Sequence, residues 1–580
     1  MKSCPWEPGN KYANCTEPRY NAISYTWGRF CLKPGEAGYT STRPLRISNV
    51  PWPVPRVKPS CFTRDEMLNV VRTAAGASTA EDPVDFVWLD IACIDQTYPR
   101  NSDYFSEVGR QARIFRGADE VVIWLWAFDS ASMSEWWTSI QRIEEPIIGI
   151  EVGNTPTIDP TEWIKHVGER LGAMRSDPWF SSLWTLQEAF LSPKATLMCK
   201  DGTTLTNPPG SNGPRSMLDL VHRWNEIGAR LDRIKDVEKL WGIPLDQNEL
   251  VALQTQISAI GFLESARQDA MQFQFYEGGR SLGSLADGMG NPLMLLAASH
   301  RRQCSEATDR VRGIMQVFDL QLGESSPNAT PGKTYSLPEL EDELGGALLQ
   351  RYPISSLLIA QSRSCLPRKA WRISSDMTLM KSCHLFWRQQ AAQSAPSGNE
   401  RRIVSQSHGA EIATDVFEGV TMARFRGKYS RLSTFVDLMS EFVGPQTIVL
   451  QLDTKWEDRM RSMLSNQRQY LIDELTWLTN TLQDRNIGIL FVARIRPPPQ
   501  ARTRGDVWCD WGVGLVLCQE AGRTDVYERI GVLIWDLWGL KDLMQTKRRS
   551  LQPTAAVADW TGYLDGQQSQ GWVPIHSYFG

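Results

Sequence analysis

The residues best suited to chemistry in this chain of 580 residues stand in a few short stretches. Ser24, Tyr25 and Trp27 close YNAISYTWG. Asp90 and Asp95, with Cys93 and Gln96, close DFVWLDIACIDQ. Glu188 stands beside Trp184 in WFSSLWTLQEAFL. Hydroxyls and carboxylates in this combination suit proton transfer or charge stabilisation. Glu188 is the most telling. At about 100° per residue, Leu183, Trp184, Leu186, Phe190 and Leu191 share one apolar arc of a helix. Gln187 falls inside that arc. Glu188 falls at its edge, about 40° from Trp184 and one turn along. A carboxylate there is costly unless it is paired, hydrogen-bonded or protonated.

The elements that position these residues alternate between strand and helix. Asn21 to Tyr25, Phe86 to Leu89 and Glu120 to Trp126 read as short buried strands, and Ala195 to Cys199 with the KDG turn and TTLT as a hairpin. Thr63 and Glu66 have capping-box spacing ahead of a helix that buries Met67, Val70, Val71 and Ala74. Ser102 to Arg116 reads as a second helix. Asp177-Pro178 and Ser192-Pro193 bracket the helix that carries Glu188, with Ser181 or Ser182 as its N-cap. Alternation of this kind indicates an α/β domain with a parallel sheet, whose ligands bind beyond the carboxyl ends of the strands. Ser24, Tyr25, Trp27, Asp90 and Asp95 all lie there. The plain alternative for each is that it caps a strand end and satisfies backbone groups.

The length exceeds what one core supports, so several domains are expected. We divide the chain into an arm at 1–19, the α/β domain at 20–206, a mostly helical region at 215–385 and a β-rich α+β region at 401–580. In the helical region, Met217 to Trp241, Glu249 to Arg267, Ala307 to Phe318 and Leu337 to Arg351 carry helical periodicity, and Gly323 to Ser336 reads as a linker. The EDELGG run near Glu341 reads as a solvated helix face. Towards the C-terminus, WGVGLVLC and VYERIGVLIW form a strong hairpin signal.

Composition narrows the classes of function. Hydrophobic residues make up 42% and charged residues 22%, and the net charge is -4. This is an ordinary globular balance that does not call for nucleic acid or an anionic membrane surface. No apolar run is long enough for a membrane span, and no secretory leader is evident. The 11 Cys lack any CxxC spacing and only six His are present. Reduced thiols in a cytoplasmic location fit this pattern, and a metal site does not. Glycine-rich phosphate loops, GxSxG and HExxH are absent. Carboxylate chemistry at Glu188, with Asp90 or Asp95 nearby in space, is what remains.

The three stretches, taken with VVIWL, resemble the fungal heterokaryon incompatibility (HET) domain in order, spacing and residue types. ATDRVRGIM resembles a segment that often follows that domain. Ser182 and Trp126 depart from the usual Arg and Gly, and the Glu-Arg pair after CIDQ is missing. HET domains in turn resemble TIR domains remotely, through AISYTW and LWTLQEA. That resemblance implies a TIR-like parallel sheet flanked by helices. It places a catalytic carboxylate at Glu188 and implies cleavage of NAD at the nicotinamide–ribose bond, with NAD as substrate and no cofactor. Trp184 or Tyr25 would then stack the nicotinamide ring. It further implies a role in non-self recognition and programmed cell death, with a second copy of the chain or another incompatibility protein as partner. The competing reading is a non-enzymatic signalling or oligomerisation module in which Glu188 pairs with an arginine such as Arg29 or Arg113.

Overall fold

A computed structural model describes residues 15–26, 30–45, 47–77, 84–95, 97, 100–144, 160–192, 194–205, 292–299, 302–361, 365–374, 377–379, 410–440, 448–457, 471–482, 485–495, 511–536 and 572–579, with isolated pieces before 15 and at 216–227. It separates into two compact units, Met1–Leu337 and Pro338–Gly580. Trp27 and Gln96 lie outside the described residues. So does nearly all of the helical character expected over 217–267, together with the loop at 390–400 and the insert at Arg496–Gly505.

The first unit is built on four parallel strands: β1 Tyr20–Ser24, β2 Phe86–Trp88, β3 Val121–Trp124 and β4 Thr196–Met198. Their spatial order is β2-β1-β3-β4. Ala22 lies between Trp88 on one side and Val121 on the other. A strand covered on both faces must be apolar throughout rather than alternating. Val121 to Trp124 are accordingly all buried. Helix α1, Arg64–Gly76, starts in the expected capping box, with the Thr63 hydroxyl accepting from the Glu66 amide at 3.2 Å. It covers one face of the sheet by burying Met67, Val70 and Ala74 against Ile23, Tyr25, Val122 and Trp124.

Past β2 comes one short turn, α2 Asp90–Cys93. The single helix expected over Ser102 to Arg116 is two, α3 Ser102–Val108 and α4 Gln111–Gly117. The break falls at Gly109-Arg110, and Gln316 fills it. Its side-chain carbonyl accepts from the Ala112 amide at 2.7 Å, and its amide donates to the Val108 carbonyl. A polar side chain from far along the chain thus replaces the helical bonds lost at the break. Helices α5 Ser130–Glu144 and α6 Pro160–Arg175 follow β3. A 3₁₀ turn, Pro178–Ser181, then leads into α7, Leu183–Leu191.

Helices α8 Pro292–Ser299 and α9 Asp309–Met315 pack against α7 in the same unit. The stretch read as a linker, Gly323 to Ser336, is packed as well. Arg312 donates to Glu324 at 2.8 Å with both side chains largely buried, and Tyr335 is buried.

In the second unit the EDELGG run is not a solvated face. On α10, Leu337–Arg351, Glu341 and Asp342 both receive the guanidinium of buried Arg372. The helical pattern of charges could not reveal a partner on a later loop. Strands β5 Ile359–Gln361 and β6 Met377–Leu379 pair with each other. Strands β7 Glu411–Phe417 and β8 Val420–Arg431 form a hairpin whose turn residues Glu418 and Gly419 both have positive φ, the type I′ geometry that suits strand twist. Helix α11 Leu432–Ser440, strand β9 Ile448–Leu452 and helix α12 Leu471–Thr481 follow. Strands β10 Ile487–Ile495, β11 Trp511–Gln519, β12 Val526–Asp536 and β13 Val573–Phe579 complete the unit. The expected hairpin is present as β11 and β12. Strand β13 joins β8 to β12, so β8-β10-β11-β12-β13 run in a closed circuit, a small barrel without free edges along that path. Helices α11 and α12 pack Leu432, Phe435, Leu475 and Leu478 against its wall. Among the described residues no helix is long and apolar enough to cross a membrane.

Candidate functional site

The period of a strand sends neighbouring side chains to opposite faces. At the end of β1, Tyr25 joins the α1 face while Ser24 turns to the face covered by α7. Helix α7 is fixed there from its first residue. Asp177 caps the 3₁₀ turn by accepting from the Trp179 amide at 2.9 Å, and its other oxygen accepts from the Ala127 amide just past β3 at 2.9 Å. Ser182 occupies the N-cap position but makes no side-chain cap. The Thr185 hydroxyl instead donates to the Trp179 carbonyl at 2.6 Å.

The buried side of α7 is wider than its apolar arc. Thr185, Gln187, Glu188 and Ala189 are buried, whereas Trp184, Phe190 and Leu191 are only partly so. The cause is that α7 is packed by α4, α8 and α9 as well as facing the sheet. Gln187 points into the core and donates to Gln111 at 3.3 Å.

Glu188 meets β1. The Ser24 hydroxyl donates to Glu188 Oε2 at 2.5 Å, and the Trp179 indole N–H donates to Ser24 Oγ at 2.8 Å. Indole, hydroxyl and carboxyl thus form one buried relay. Burial pushes the Glu188 carboxyl up to about 8; the nearby Asp90 charge adds to the rise and the Ser24 hydrogen bond opposes it. At neutral pH the acid is mostly protonated. Tyr25 is pushed well above the ordinary phenol value by burial first and then by Asp90 and Glu188. Its hydroxyl lies beside the Asp90 carboxylate without closing a well-formed hydrogen bond. Ser24, Tyr25, Asp90 and Glu188 are therefore brought together at the carboxyl ends of β1 and β2.

The other candidates are placed elsewhere. Asp95 turns its own loop, accepting from the Thr97 amide at 2.9 Å and the Thr97 hydroxyl at 2.7 Å. Trp184 packs against Ile94, Tyr104 and Val108, and its indole donates to Asp309 at 3.3 Å. Arg113 is exposed on α4, and Arg29 lies outside the described residues. Among the described residues no lysine or arginine pairs with Glu188. No cluster of three or more His, Cys, Asp or Glu among them could hold a metal ion.

Beside Tyr25 stand three polar side chains that the sequence motifs did not single out as hydrogen-bonding groups. The Tyr25 hydroxyl, Thr26 Oγ1 and the Trp124 and Trp126 indole nitrogens are buried without hydrogen-bond partners among the described residues. They sit where β1 and β3 end side by side, the point at which strand order reverses, and ligands of open α/β sheets bind there. Unpaired buried donors cost free energy and call for an acceptor. The alternation of Trp124 and Trp126 along EVVIWLW was the available signal.

A segment far beyond β4 holds α7 in place. The Arg302 guanidinium donates to the Trp179 carbonyl at 3.2 Å. Gln303 pairs with the backbone on both sides of Ser182, donating to Ser181 at 2.7 Å and accepting from Leu183 at 3.0 Å.

The fold and the site define an α/β domain with a buried acid at the carboxyl edge of a parallel sheet. Residues 20–188 match the family model described as heterokaryon incompatibility protein (HET), so the chain carries a HET domain. Comparison with curated proteins and with solved structures found no match.

Proposed function

We propose that the HET domain is a TIR-like hydrolase that cleaves NAD at the nicotinamide–ribose bond, with Glu188 as its catalytic carboxyl, and that this activity drives cell death after non-self recognition. One observation carries the reading. Glu188 is a buried carboxyl with no cationic partner among the described residues, held on Ser24 and beside Asp90. A structural acid on a packed helix is normally neutralised by an arginine or lysine. A strongly perturbed acid next to a second carboxylate, at the ligand-binding edge of an α/β sheet, is the pattern of a functional site.

The chemistry suits the substrate. The nicotinamide ring of NAD is cationic, and its arrival beside Asp90 and Glu188 would lower the Glu188 pKa and draw off its proton. When the glycosidic C–N bond breaks, its electron pair neutralises the ring nitrogen and positive charge moves to the ribose. An ionised Glu188 can stabilise that charge or hold the ribose hydroxyls. Water then adds to the anomeric carbon and gives up a proton.

A second reading rests on the relay itself. Trp179, Ser24 and Glu188 also fasten α7 to β1, which is what a non-enzymatic module that oligomerises or binds another incompatibility protein would need. Loss of NAD in the presence of the purified full-length chain, compared with its Glu188→Ala variant, separates the two.

A further inference from the structure

The helix that carries Glu188 does not cap itself. A helix leaves its first N–H groups without intrahelical partners, and a side chain at the N-cap normally accepts one of them. Ser182 makes no such bond. The Leu183 amide donates instead to the Gln303 carbonyl at 3.0 Å, and the Gln303 amide donates back to the Ser181 carbonyl at 2.7 Å. A residue far along the chain thus closes the start of α7.

Arg302 reaches the same turn. It is 1% exposed, and its Nη1 donates to the Trp179 carbonyl at 3.2 Å and to the Ser182 carbonyl at 3.4 Å. Burying a guanidinium is costly, and the positive end of a helix dipole opposes a cation. An apolar side chain would fill the space at lower cost, so hydrogen bonding is what the arginine adds. Both carbonyls belong to residues that set the relay. The Trp179 indole holds Ser24 Oγ at 2.8 Å, and Ser182 is the last residue before α7.

Two more residues of this segment bear on the helix. Gly313 on α9 faces Leu183, and a Cβ there would stand 3.2 Å from Leu183 Cδ2, tighter than ordinary van der Waals contact. Gln316 accepts from the Ala112 amide in the break between α3 and α4. The preceding residue, Gln111, accepts from Gln187, the neighbour of Glu188. Residues 302–316 therefore hold α7 at its start and, through α4, beside Glu188. All of them lie beyond residue 188, where the HET match ends.

We propose that Arg302 is a positioning residue for the Glu188 site: by holding the Trp179 and Ser182 carbonyls, it fixes the turn into α7 so that the Glu188 carboxyl meets the Ser24 hydroxyl beside Asp90. The matched domain is then incomplete without residues 302–316. The proposal rests on Glu188 as the acid of the site, but its first test reads the proton on that acid and needs no turnover.

The test uses the full-length chain. Urea unfolding compares wild type with Glu188→Gln, and Arg302→Met with Arg302→Met/Glu188→Gln, from pH 5 to pH 8. Asp90 and Tyr25, the titratable groups beside Glu188, are present in all four proteins. In the first pair the stability difference falls as pH rises. A turn no longer held admits water to the carboxyl, and burial is the main cause of its raised proton affinity. The fall should therefore shrink by about half or more in the Arg302→Met pair. Val84→Ala opens a cavity at the amino end of the sheet and should lower stability while leaving the fall intact. Should Arg302→Met fail to fold, Arg302→Lys replaces it. Lysine keeps the charge but not the planar fork, so the fall should shrink there too.

Nicotinamide release should drop about tenfold to a hundredfold in kcat in the same variant, with KM little changed. An unchanged pH-dependent fall in a folded Arg302 variant overturns the proposal. So does equal flattening in Val84→Ala, or no fall in the wild type, since there is then no buried acid to position. A wild type that releases no nicotinamide removes the enzymatic reading alone, and the shrunken fall still supports the positioning role.

Discussion

Ser24 donates its hydroxyl hydrogen to Glu188 across 2.5 Å, joining the first strand of the sheet to the last helix of the HET match. The bond is buried and is backed by the Trp179 indole on the far side of the hydroxyl. It selects Glu188 from the other polar residues of α7 as the one that reaches the carboxyl edge of the sheet.

This acid should give the protein a specific pH signature. Glu188 has an ordinary value of 4.5 and is raised to about 8 in the folded chain. The folded state therefore holds the proton more tightly than the unfolded state. The stability this contributes is complete below pH 4.5 and is lost as pH rises to about 8. The slope has an upper bound of about 1.4 kcal/mol per pH unit. Glu188→Gln lacks this proton, so the stability of wild type relative to the variant should fall from pH 5 to pH 8. Urea unfolding of both proteins at several pH values checks this, and a constant or rising difference would remove Glu188 as a high-pKa acid.

The break between α3 and α4 depends on one side chain. Gln316→Ala leaves the Ala112 amide and the Val108 carbonyl buried without their partner. The loss should be about 1–3 kcal/mol per abandoned group at most. Faster hydrogen exchange at Ala112 and a lower urea midpoint for the first unit are expected.

The second unit has a comparable weak point. Arg372→Met removes the cation shared by Glu341 and Asp342, while Lys369 still reaches Asp342 at 2.6 Å. Glu341 loses a buried ion-pair partner, a loss that typically costs about 3–5 kcal/mol. Thermal unfolding should show this unit melting earlier, and adding Glu341→Gln should recover part of the loss. Recovery would be absent if Arg372 acted through packing alone.

What the amino-acid order made legible follows from local physics. The parallel strands were readable because burial on both faces demands apolar runs such as VVIW, and α1 because Thr63 and Glu66 form their capping box within one turn. Glu188 stood out because a carboxylate at the margin of an apolar arc needs a reason. The partners were not readable, because they come from far along the chain. Nothing near Gly109 announces Gln316, nothing in EDELGG announces Arg372, and the relay from Trp179 through Ser24 exists only once α7 is laid on β1. The barrel is closed by β13, VPIHSYF, whose mixed pattern carries no clear strand signal. The bulge at Ile530, which leaves Arg529 and Ile530 both buried, is invisible in a sequence that reads as a regular hairpin.

The central claim is that Glu188 is the catalytic carboxyl of an NAD-cleaving site. The most direct measurement is release of nicotinamide from NAD by the purified full-length chain, followed chromatographically beside Glu188→Ala, with circular dichroism to establish that the variant is folded. The account predicts nicotinamide and ADP-ribose from the wild type, and a loss of rate of about a hundredfold or more in the variant. Undiminished release by folded Glu188→Ala, or no release by the wild type, would contradict it.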